Sequence, residues 1–237
     1  MKKLITAVAI FTCAFTYAQS EGSVAQAGQA GTVARAQQEG SITYLMAMEG
    51  VPPEQAAMMG DMETKIFYKD KKSLTEMSSM MMSYKTLNDE NGSLILMDQM
   101  GNKFFTRVSK AELDKNAEVN KDKEPKIEYV DESKSIAGYD CKKAIVTAIA
   151  KEGEMKMDVW YSEKVPYVSQ GGSGRRGGEM FKGLKGMPME FTIKQGPMNI
   201  KMTAKEVSFD KVPDSKFVLT TEGYTEKKMD EMKKGGQ

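Results

Sequence analysis

Alternation with a period of two runs through this chain and makes an antiparallel sheet its natural fold. The clearest case is Glu154 to Tyr161, where Met155, Met157, Val159 and Tyr161 fall on one side and Glu154, Lys156, Asp158 and Trp160 on the other. Successive strand side chains point to opposite faces, so such a segment has one greasy and one wet side. Ile42, Tyr44, Met46 and Met48 repeat the pattern against Ser41, Thr43, Leu45 and Ala47. Met189, Phe191 and Ile193 do so again. The turn Gln195-Gly196-Pro197 then leads into Met198, Ile200, Met202 and Ala204. There the apolar phase slips to Val207 and Phe209, which predicts a bulge around Lys205 and Glu206.

Turn residues punctuate the alternating runs at short intervals. Thr64 to Tyr68 and Ser73 to Met77 flank Asp70-Lys71-Lys72, and Met82 to Leu87 and Ser93 to Met97 flank Asn88 to Gly92. Met100-Gly101-Asn102 leads into Lys103 to Val108, and Lys151-Glu152-Gly153 joins Lys143 to Ala150 with the Glu154 strand. Gly and Asn suit these places because they tolerate positive φ. One short helix is expected over Ala111 to Val119, and one or two helical turns over Glu54 to Met59, behind Pro53. The predicted fold class is therefore mainly β (α+β): a curved antiparallel sheet, or incomplete β-barrel, covered by one or two short helices. Residues 39–225 are of single-domain size, and residues 226–237 form a charged tail, expected as a frayed helix.

The amino terminus reads as an address. Met1-Lys2-Lys3, an apolar run from Leu4 to Phe15 and the small-residue close at Thr16-Tyr17-Ala18 have the layout of a secretory signal peptide over residues 1–18. The run is too short for a permanent membrane-spanning helix. Residues 19–38, rich in Ala, Gly, Gln and Ser, read as a flexible spacer. The expectation is an exported protein of the periplasm or associated with the outer membrane. Loss of the leader removes Lys2 and Lys3 from 34 basic residues and none of the 33 acidic ones, leaving a net charge near −1. Both signs are interspersed, so no basic face for nucleic acid is expected. Cys13 leaves with the leader. Cys141 then has no internal disulfide partner, and a buried, inert thiol is its expected state.

Composition limits the chemistry. The chain has 0 histidines and 21 methionines in 237 residues. Without histidine, Ser-His-Asp and Cys-His activation, His-ligated zinc and a His general base all disappear. Asp89-Glu90 and Asp131-Glu132 are expected in turns, where solvated carboxylates are ordinary. Asp61-x-Glu63 and Asp214 make no spaced calcium loop. Arg175-Arg176 sits in a Gly-rich loop (Gln170 to Gly178) whose Gly-Gly-Ser-Gly run lacks the Lys-Ser/Thr ending of a phosphate loop. No catalytic residue, metal site or cofactor is assigned, and a non-enzymatic protein is expected.

Methionine is the flexible, polarisable apolar side chain that fits irregular or variable surfaces. The candidate ligand-binding residues are the strand methionines Met46, Met48, Met155, Met157, Met198 and Met202, lining the concave side of the sheet as a deformable apolar pocket. A filled core without a cavity is the equal alternative. A second class uses the linear clusters, because thioethers select Cu(I). Met77, Met80, Met81 and Met82 would then be the first ligands and Met58, Met59 and Met62 the next. A third is a structural cell-envelope protein. The expected partners are an apolar small molecule or lipid and an outer-membrane or cell-envelope protein.

The block Ile136-Ala137-Gly138-Tyr139-Asp140-Cys141-Lys142-Lys143-Ala144, followed by Trp160-Tyr161, resembles an uncharacterised exported family of Gram-negative bacteria, the domain of unknown function 4412. Gly186 to Glu190, Asp214 to Phe217 and Gly223-Tyr224 sit where the closing strands of that family would fall. The resemblance implies a fold like the outer-membrane lipoprotein carriers LolA and LolB, an incomplete barrel lidded by helices around an apolar cavity. It implies no catalytic residue. The high methionine content and the Gly-rich loop depart from the pattern.

Overall fold

A computed structural model describes residues 38–50, 62–79, 82–119, 124–150, 153–168, 180–195, 198–228 and 231. The strands are β1 (Glu39–Glu49), β2 (Met62–Lys69), β3 (Lys72–Ser78), β4 (Met82–Asp89), β5 (Gly92–Gln99) and β6 (Asn102–Ser109). After the helix α1 (Lys110–Val119) come β7 (Lys126–Ile136), β8 (Tyr139–Ala150), β9 (Gly153–Ser162), β10 (Met187–Gln195), β11 (Met198–Ser208) and the two-residue β12 (Thr225–Glu226). The strands expected from alternation are all present, but Asp214–Phe217, placed in a closing strand by the family resemblance, is a single 3-10 turn, and Gly223-Tyr224 precedes β12 rather than forming a strand. The expected leader and spacer up to residue 37, the turns at 54–59, the Gly-rich loop at 170–178 and all but a few residues of the tail lie outside the described residues.

Two meanders make one sheet. Consecutive strands pair from β1 to β6 and again from β7 to β11; the pairing of β1 with β11 joins the halves. The order across the sheet is β12-β6-β5-β4-β3-β2-β1-β11-β10-β9-β8-β7. All pairs are antiparallel except β12, which lies parallel to β6. The sheet is curved and open, as predicted. Its edge strand β7 curls back into contact with β11.

Local sequence explains the turns. Met100-Gly101 (φ 52° and 85°) and Ala137-Gly138 (φ 49° and 79°) are two-residue connections with both central residues at positive φ. That geometry matches the right-handed twist of the strands it joins. The bulge falls where the phase slip placed it. Thr43 faces Glu206 and Tyr44 faces Ala204, so Lys205 is the extra residue.

The face carrying Ile42, Tyr44, Ile66, Val146, Val159, Phe191 and Met202 holds the main core, and it is called the inner face below. Loop residues Val165, Phe181 and Leu184 pack onto it. Tyr44, fully buried, donates a 2.7 Å hydrogen bond from its hydroxyl to the Pro188 carbonyl and ties β1 to β10. On the opposite face a smaller cluster forms where the segment after β11 crosses the first meander. Val212, Phe217 and Leu219 cover Leu74, Phe67 and Leu87 there, and Lys216 reaches Glu76 at 2.7 Å.

α1 is the expected short helix and lies on the surface with none of its side chains buried, while loop residues Val165, Phe181 and Leu184 pack on the inner face. Two expectations need correction. Asp131 and Glu132 are not in a turn but form a bulge within β7, between Val130 and Ser133. β7 escaped the alternation reading because it is an edge strand with charge on both sides, the usual protection of an unpaired edge. Glu226 belongs to β12 and not to a frayed helix, and the Lys227 amide donates to the Phe105 carbonyl at 2.9 Å.

Replacing Tyr44 by Phe removes the buried hydroxyl that satisfies Pro188. The expected loss of unfolding free energy is about 1–3 kcal/mol, measured by urea denaturation with an unchanged slope.

Candidate functional site: a methionine-lined end of the inner face

Register decides which methionines meet. Met46 stands directly opposite Met202 on β11 and directly opposite Met62 on β2. Thr64, one position along the face from Met62, stands opposite Met77, and Met77 and Met97 both stand opposite Tyr84. Phe191 lies between Met202 on one side and Val159 on the other, which puts Met155 and Met157 on the same face two strands further on. Opposed residues share a face and alternate residues keep it. Met46, Met48, Met62, Met77, Met82, Met97, Met155, Met157 and Met202 therefore all lie on the inner face. They also gather at one end of it, where β1, β3 and β5 finish and β2, β4, β9 and β11 begin.

Five of the six candidate residues thus share a surface. Met198 occupies the β11 position opposite Gln195, and its side chain lies outside the described residues. Depth divides the five. Met157 and Met202 are core residues at 4% and 7% exposure, whereas Met46, Met48 and Met155 are half-buried. The deeper part is filled: Tyr44 meets Phe191 edge-on at 6.4 Å, and Phe191 meets Phe181 at 4.8 Å. The packed aromatic and aliphatic interior thus lies beside a half-buried row of methionines.

The linear copper clusters fare differently. Met77 and Met82 share the inner face, both half-buried, while Met58, Met59, Met80 and Met81 lie outside the described residues. Met62 belongs to the row with Met46 and Met202, a neighbourhood that sequence spacing does not show.

A hollow of about 420 Å³ opens at the opposite end of the sheet, lined by Tyr68, Ser73, Asn88, Pro166, Tyr167 and Val168 with Lys71 and Lys72 at the turn. None of the candidate methionines lines it. Sequence reading missed it because Pro166 to Val168 belong to an irregular segment with no period to read. Burial pushes the hydroxyls of Tyr68 and Tyr167 up to about 12, with Tyr139 adding to the effect on Tyr68. Two buried hydroxyls of the inner face, Tyr68 Oη and Thr64 Oγ1, have no hydrogen-bond partner among the described residues.

Cys141 is fully buried, as expected, and its Sγ donates to the Tyr139 carbonyl at 3.4 Å. Burial pushes its thiol up, which disfavours the reactive thiolate. On the outer face Glu190 accepts from Lys134 at 2.7 Å and pairs with Lys201 at 3.4 Å, while Lys134 lies 4.3 Å over the Trp160 ring. Burial works to raise the Glu190 carboxyl, but the two lysines outweigh it and hold it below the usual carboxylate range. Asp89, in its predicted turn, caps the Asn91 amide at 2.7 Å, a structural duty.

No family model matches the chain, and no curated protein matches it. Among solved structures it is similar to PNGF-II, with 15% identity and a TM-score of 0.45 over 83% of this chain and 32% of that one. The chain thus spans about a third of the length of PNGF-II. It is also similar to the lipoprotein LppX of Mycobacterium tuberculosis, with 9% identity and a TM-score of 0.35 over 80% of this chain and 96% of that one. LprF of Mycobacterium bovis gives 12% identity and a TM-score of 0.33 over 79% of this chain and 94% of that one. Among the described residues no helix is long and apolar enough to cross a membrane.

A depressed carboxyl sets the acid limb of stability. The Glu190 contribution is complete above the unfolded-state value of about 4.3 and is lost as pH falls through the lower native value. Denaturation midpoints should therefore fall below about pH 4, and Glu190→Gln should flatten that slope while leaving its neighbour pairs elsewhere intact.

Proposed function

We propose that this chain is an exported, non-enzymatic binding protein that shelters an apolar small molecule or acyl chain against the methionine-lined end of its curved sheet. The observation that carries this reading is the gathering of half-buried Met46, Met48 and Met155 at one end of one face, around a packed core. Thioether arms change rotamer at small cost, so such a surface accepts ligands of varied shape better than branched side chains do. Partly exposed apolar side chains grouped on one face also fit a binding role better than a structural one. The Thr64 hydroxyl on the same face, without a hydrogen-bond partner among the described residues, offers a place for one polar atom of a mostly apolar ligand.

The test is direct. Protein purified from its own host under reducing conditions and weighed by native mass spectrometry should carry an apolar molecule. The emptied protein should bind the fluorescent probe N-phenyl-1-naphthylamine, and Met48→Lys with Met155→Lys should weaken that binding by about tenfold or more. Bare polypeptide from the host together with probe binding that ignores both substitutions would sink the proposal.

A further inference from the structure

The same face carries a second chemistry in its register. We propose that Met202, Met46 and Met62 form a thioether triad that binds a soft monovalent cation, Cu(I) or Ag(I). The three residues stand directly opposite one another on the adjacent strands β11, β1 and β2. A residue on a middle antiparallel strand has its two opposed partners at Cα separations of about 4.5 Å on one side and 5.5 Å on the other. Methionine side chains are long enough, and have enough rotatable bonds, for the two outer sulfurs to lean in over Met46.

The chemistry of the row selects its ion. Neutral thioethers are soft donors, favouring Cu(I) over hard or strongly hydrated divalent ions. Among the described residues no group of three or more His, Cys, Asp or Glu side chains converges, so this row is not part of a harder site. Met62 and Met202 are 6% and 7% exposed, which keeps water from the ion, while half-buried Met46 leaves it an entrance. Thr64 adds an independent sign. It is 7% exposed, sits one position along the face from Met62 and diagonal to Met46, and its hydroxyl oxygen has no partner among the described residues. That oxygen stands ready as a weak additional donor. The triad is distinct from the linear cluster Met77 to Met82, since it unites residues far apart in sequence.

Leucine substitutions separate this inference from the apolar-ligand reading, because they keep volume and greasiness while removing sulfur. The full chain, titrated anaerobically with Cu(I) against the chelator bathocuproine disulfonate, should retain one ion. M46L/M62L/M202L should lower that retention by about tenfold or more. M77L/M82L and C141A should retain Cu(I) as the wild type does. On the unsubstituted chain, methionine-methyl NMR with Ag(I) should move the Met46, Met62 and Met202 resonances together, a readout that needs no variant to fold. Retention unchanged in the triad variant, retention lost in C141A or M77L/M82L, no uptake by the wild type, or methyl shifts confined to other methionines would each overturn the inference.

Discussion

The pairing of β1 with β11 is the joint on which this molecule depends. Every other long pairing links strands consecutive in sequence, whereas this one bridges most of the domain. It aligns Tyr44 with Ala204 and Met46 with Met202, and it lets the Tyr44 hydroxyl reach Pro188 across β11. Without it there would be two separate ribbons, each with an apolar side facing water. Joined, the two ribbons present one continuous inner face, and burial of that face is the main driving force for the fold.

The inner face is not uniform along its length. Towards one end Ile42, Ile66, Tyr68 and Tyr161 share the core with Val165 and Leu184, beside a small hollow of mixed polar and apolar lining. Towards the other the residues become methionine, and burial relaxes from complete to partial. Branched and aromatic side chains fix a shape, whereas thioethers tolerate several. A rigid interior thus grades into an adaptable rim. The outer face follows a different logic: Glu190, Lys134, Lys201 and Trp160 form a charged lattice over one half, and Val212, Phe217 and Leu219 strap the other.

Much of this was legible residue by residue. Alternation located β1 and β9, turn chemistry located the hairpins, and a slip in apolar phase located the Lys205 bulge. Each candidate methionine could be assigned to a side of its own strand. Which sides would coincide could not be read, since that depends on the long-range register between β1 and β11. For the same reason the row Met202-Met46-Met62 was hidden while the linear run Met77 to Met82 stood out. β7 was missed because an edge strand with two wet sides carries no apolar period. The strap was missed because Val212 and the short run Phe217 to Leu219 lie in an irregular segment with no period to read, and their burial is decided by where that segment lands.

The central claim is that the methionine end of the inner face receives greasy ligands. Methionine-methyl NMR during titration with lauric acid tests it most directly, because each methyl reports its own surroundings. The account predicts that the Met46, Met48 and Met155 resonances move together and saturate, while buried Met187, packed beneath Val168 at the other end, stays in place. Saturable shifts confined to Met187 and its neighbours, or no shift at any methionine, would contradict it.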